Sequence, residues 1–109
     1  MDGDSPEEYI RQVLAAYRQT PGTTGTVRCP DRMLAAHLYE RGVSVTIVEN
    51  ALVLGAARRL TRPTGAMPLA TVRSLAYFLP VIEELLERPV SSNYFVYLRR
   101  KLAQIGSTR

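Results

Sequence analysis

Apolar residues recur at spacings of three and four along most of this 109-residue chain, and proline or glycine cuts that pattern into short lengths. A helix buries one stripe at a period of 3.6, whereas a half-buried strand alternates, and no segment here sustains alternation. The expectation is an all-α fold, a compact bundle of five or six short helices. It forms one domain over 1–109, with 1–4 and 106–109 frayed. Hydrophobic residues make up 46% of the chain and charged residues 22%, a balance that lets a chain of this length bury a core without disulfides or metal.

The helix boundaries can be read from capping chemistry. Ser5, Pro6 and Glu8 supply an N-cap, a first-turn proline and a capping-box glutamate, and Ile10, Val13, Leu14 and Tyr17 then share one stripe. Thr20-Pro21-Gly22 stops that helix; Thr23 to Val27 is a polar loop with a short extended piece expected at Gly25 to Arg28. A second helix is expected from Pro30 and Asp31, with Leu34, His37, Leu38 and Arg41 on one face, Met33 beside it and Gly42 as a left-handed C-cap. Ser44, or Thr46 boxed with Glu49, caps a third, whose Ile47, Val48, Ala51, Leu52, Leu54 and Gly55 make a broad apolar face running on to Leu60 before Pro63 ends it. After a loop at Thr61 to Pro68, Ala70 to Glu87 repeats Val72, Leu75, Leu79, Ile82 and Leu86 at helical spacing. Pro80 interrupts this run, so a kink or two shorter helices are expected, the second starting at Pro80. Pro89 ends that element, and Ser91 or Ser92 caps a last helix with Phe95, Leu98, Leu102 and Ile105 toward the core.

Counting excludes several chemistries. Cys29 is the one cysteine and His37 the one histidine, which leaves no disulfide, no multi-cysteine zinc site and no ordinary catalytic pair. Glu83, Glu84 and Glu87 read as a solvated helix face rather than paired catalytic acids. No catalytic residue, metal site, cofactor or small-molecule substrate is expected. No apolar run nears the about 20 residues of a membrane span, and the start Met1-Asp2-Gly3-Asp4 is unlike the basic opening of a signal peptide, so a cytoplasmic location is expected.

Charge carries the functional signal. Residues 1–50 hold five basic and seven acidic groups, and residues 51–109 nine basic and three acidic, with no acid between Ala51 and Ile82 or from Arg88 onward. Such polarity suits a polyanion, nucleic acid being the commonest. Thirteen of the fourteen basic residues are arginine, which suits bidentate phosphate contacts and follows equally from a GC-rich coding sequence. Arg58, Arg59 and Arg62 gather at the end of the third helix, with Arg73 expected to start the next one. They could grip a phosphate track, or serve as cations complementing a helix C-terminus. The last helix places Tyr94, Tyr97 and Lys101 on one face with Arg100 neighbouring it and Arg99 as a further candidate contact, where tyrosines stack bases or simply rim a core. The run Leu75 to Ile82 is apolar nearly all round, so Tyr77 and Phe78 are either buried or meet a partner. The second helix, Gly42-Val43-Ser44 and the third helix have the outline of a helix-turn-helix, although the third is apolar enough to be a core helix instead.

From Leu38 to Leu86 the chain resembles the C-terminal helical domain of DnaD-type primosomal and phage replication proteins. The residues that carry the likeness are Gly42-Val43-Ser44, Ile47, Ala51 and Leu52, then Val72, Ser74, Leu75, Tyr77 and Ile82. The resemblance implies packed helices that contribute to DNA binding in replication initiation. Pro80 falls where that family runs an uninterrupted helix, and the family's tryptophan has no counterpart here. No site residue is carried over. The expected function is a non-catalytic nucleic-acid-binding accessory subunit of a replication, transposition or defence complex, contacting backbone through its arginines. The alternative is a protein-interaction module or homodimer docking through Tyr77 and Phe78.

Overall fold

Ser5 opens the first helix by accepting a hydrogen bond from the Glu8 amide at 3.1 Å, and Pro6 sits in the first turn where its missing N–H costs nothing. The computed structural model describes residues 5–60 and 70–107. Its helices are α1 (Pro6–Gln19), α2 (Cys29–Glu40), α3 (Val45–Leu60), α4 (Leu79–Glu87) and α5 (Ser92–Ser107), with a 3-10 turn at Leu75–Phe78 leading into α4. The fold is an all-α bundle. Residues 61–69, with Arg62 and Pro63, the ends 1–4 and 108–109, and the Ile105 side chain lie outside the described residues. The α5 backbone stays helical through Gly106 and Ser107, where fraying was expected.

α1 buries Tyr9, Val13, Leu14 and Tyr17, so its stripe is centred one residue earlier than the expected one and Ile10 is only half-buried. Tyr9 is recruited because its hydroxyl reaches the Val43 carbonyl at 2.7 Å, and burial pushes its pKa up to about 12. In α2 the buried face is Asp31, Ala35 and Leu38, not Leu34, His37, Leu38 and Arg41; His37 and Met33 are exposed. Asp31 turns this helix. At 2% exposure, its carboxylate accepts from the Arg28 amide at 2.8 Å and from the Leu75 amide at 2.9 Å, joining the start of α2 to the 3-10 turn. Gly42 is left-handed (φ 78°), and Ser44, not Thr46, caps α3 by accepting from the Ile47 amide at 3.2 Å.

α3 is the central element. It packs against α1, α4, α5 and the 3-10 turn, burying Val45, Val48, Ala51, Leu52, Leu54, Gly55, Ala56 and Ala57. The helix, glycine turn and helix exist in chain order, but α2 packs chiefly on α1 while α3 is a core helix, the second of the two readings. A Cβ on Gly55 would lie 2.7 Å from the Phe78 ring, and this close approach seats the 3-10 turn.

The stretch before α4 departs from expectation. Residues 70–74 are not helical: Val72 pairs in a single parallel bridge with Thr23, donating to the Gly22 carbonyl at 2.8 Å and accepting from the Thr24 amide at 2.9 Å. The sequence placed its short extended piece slightly later, at Gly25 to Arg28. Val72 is buried all the same, because helical and extended backbones both point one anchor inward here. Ser74 caps the 3-10 turn through the Ala76 amide. α4 begins at Leu79, which puts Pro80 in its first turn and removes any kink.

Candidate nucleic-acid interface

The basic cluster at the end of α3 is largely occupied. Arg58 donates to both Glu84 carboxylate oxygens, at 2.9 and 2.6 Å, across from α3 to α4. The paired geometry holds the Glu84 carboxyl below its ordinary value, Arg88 adding a smaller push, and raises Arg58. Arg59 donates to the Tyr77 hydroxyl at 3.1 Å and the Ala70 carbonyl at 2.7 Å, with its guanidinium 5.3 Å from the Tyr77 ring centre. One carboxylate earlier on α4, Glu83 takes both ends of Arg41 at 2.8 and 3.0 Å. Glu83 and Glu84 are therefore solvent-exposed clamps that tie α4 to the end of α2 and to α3. Sequence spacing identified their exposure but not their partners.

Arg73 is exposed on the extended segment rather than at a helix start, with no ion pair among the described residues. Phe78 is 0% exposed and stands edge-on to Tyr17, so it belongs to the core and not to a partner surface. The apolar run that suggested an interface is mostly consumed by packing, since Leu75, Phe78 and Ile82 all face inward. Tyr77 stays 48% exposed but carries Arg59.

α5 presents the other cluster differently. Its core side is Phe95 and Leu98, with Leu102 partly buried, and its packing is against α3. Tyr94 and Tyr97, one turn apart and 44% and 53% exposed, stack with ring centres 6.4 Å apart and planes at 28°. Lys101 lies 5.6 Å over the Tyr97 ring and donates to its hydroxyl at 3.3 Å, while Arg100 is exposed alongside. Arg99 points to another side of the helix, where it donates to the Asn50 side-chain oxygen at 2.9 Å and fastens α5 to α3. Tyr94 comes close enough to Arg58 to act on it electrostatically, a minor contribution beside Glu84.

Sequence spacing passes over three exposed apolar side chains. Leu86 of α4, Val90 after it and Val96 of α5 are solvent-exposed, a feature that spacing alone does not separate from core. Among the described residues no group of three or more metal-ligating side chains comes together, and no helix is long and apolar enough to cross a membrane. No family model, curated protein or solved structure matches the chain.

Proposed function

We propose that the chain is a non-catalytic, cytoplasmic accessory protein that binds nucleic acid through α5, serving a replication, transposition or defence nucleoprotein complex. The observation that carries this reading is the stacked Tyr94–Tyr97 pair beside Arg100 and Lys101, on a helix without a single acid. Exposed rings accept unstacked bases whatever their identity, at about 1–3 kcal/mol per base, and the neighbouring cations neutralise phosphates and release counterions. Single-stranded DNA or RNA fits this better than a sequence-read duplex, because α3 has few polar side chains left to address base edges. Arg73 is a further exposed cation, whereas Arg58, Arg59 and Arg99 hold elements of the fold together. The likeness to DnaD-type domains favours DNA among the two.

Fluorescence polarisation of labelled single strands and duplexes at two salt concentrations tests the reading. Binding to single strands that weakens steeply with salt is expected, and no binding at low salt would remove it. The exposed Leu86, Val90 and Val96 favour a second reading, a protein partner or second copy docking on these apolar side chains. Light scattering and pull-down separate the two.

A further inference from the structure

Away from α5, a groove of about 290 Å³ runs along the seam of α1 and α2, lined by Glu7, Ile10, Arg11, Leu14, Arg18 and Arg32. The α1 residues recur turn after turn, so they form one strip about 16 Å long. Its floor is aliphatic, from half-buried Ile10 and buried Leu14, and its rim is cationic. Arg18 and Arg32 hold no ion pair among the described residues, and Arg11 shares its guanidinium with Glu8 on the exposed side of the helix. With Arg11 paired to Glu8, the groove keeps the guanidiniums of Arg18 and Arg32 against one lining carboxylate, Glu7. We infer that this groove docks an acidic amphipathic segment of a partner protein, its apolar side chains on Ile10 and Leu14 and its carboxylates on Arg18 and Arg32.

The composition of the groove selects that occupant. A nucleic-acid strand would find phosphate partners here but no aromatic ring to stack on, and it would leave the aliphatic floor uncovered. The volume falls at the bottom of the range for drug-sized ligands, about 300–1,000 Å³. An acidic helix or turn with one or two apolar side chains satisfies both floor and rim, because burial supplies affinity while the charges set register and approach rate. This inference is independent of the α5 reading.

The test uses the full chain and a synthetic 14-residue helical peptide with leucines at i, i+3, i+4 and i+7 and glutamates between them. A scrambled peptide of equal composition, a single-stranded oligonucleotide and octanoate complete the set, all measured by polarisation or amide chemical shifts. The ordered peptide is expected to bind with micromolar to sub-millimolar affinity and to shift Ile10, Arg18 and Arg32 amides. The double variant Arg18→Glu/Arg32→Glu should weaken it at least tenfold, while Arg100→Glu/Lys101→Glu leaves it unchanged. Both residues of the first variant are exposed, so its unfolding midpoint should match the wild type and report directly on binding. Equal binding of ordered and scrambled peptides, preference for octanoate or the oligonucleotide at this groove, or indifference to Arg18→Glu/Arg32→Glu would each overturn the inference.

Discussion

Two basic clusters that look alike in sequence have opposite fates in the fold. Arg58 and Arg59 sit where α3 meets α4 and the 3-10 turn, and their guanidiniums are consumed by Glu84, Tyr77 and a backbone carbonyl. Arg100 and Lys101 sit on a helix packed from one side only, with no carboxylate on that helix, and face solvent. A stretch without acids is therefore not a surface without acids. The deciding carboxylate, Glu84, lies just beyond the acid-free run and is returned to it where α4 packs against α3.

The largest expected effect tests how firmly the first region is locked. Phe78→Ala should cost about 3–5 kcal/mol, since the ring fills the space against Gly55 and Tyr17. Chemical denaturation measures it, and wild-type stability would return Phe78 to the other of its two expected roles, contact with a partner. Next comes the contrast itself. Tyr94→Ala/Tyr97→Ala should lower single-strand affinity by about 1–3 kcal/mol for each stacked base lost, with little change in stability. Arg58→Ala/Arg59→Ala should do the reverse, loosening the fold more than the binding. Equal losses of affinity from both double variants would erase the distinction between the clusters.

The smallest effect is on acidification. Arg58 holds the Glu84 carboxyl below its ordinary 4.5, as Arg41 does for Glu83, so each pair stabilises the fold above that value and is lost as pH falls through the lowered one. Thermal midpoints should therefore decline slightly below pH 4.5, and Glu83→Gln/Glu84→Gln should flatten that decline. α5 has no acid of its own to protonate, so its unfolding contribution should not share the trend. A decline unchanged in the double variant would mean that other carboxylates dominate.

Much of the fold was legible because its signals are local. Ser5, Pro6, Gly42 and Ser44 act within one turn, and Val13, Leu14, Tyr17, Val48, Ala51, Leu52, Phe95 and Leu98 are buried as their spacing implies. The misread stretches share a different character. Residues 70–74 could satisfy the same apolar spacing as helix or as extended chain, and a bridge to Thr23, 49 positions earlier, chose the latter. Asp31 reads as a helix-dipole partner until Leu75 supplies a second amide for it. On the candidate site, the Tyr94, Tyr97 and Lys101 face was visible as spacing, whereas the Arg99 bond to Asn50 was not, and the choice between core and partner for Phe78 was left open.

By itself the sequence determined the helical class, the ends of α1 and α2, the start of α3, the identity of most core residues and the unequal distribution of charge. These follow from backbone hydrogen bonding and burial periodicity, which operate over a few residues. The tertiary structure alone decided which cations remain open to a ligand, which aromatic residues are exposed, and that Arg11, Arg18 and Arg32 border one groove. A charge is free or spent according to what lies within a few ångströms of it, and here those neighbours are brought in from other helices.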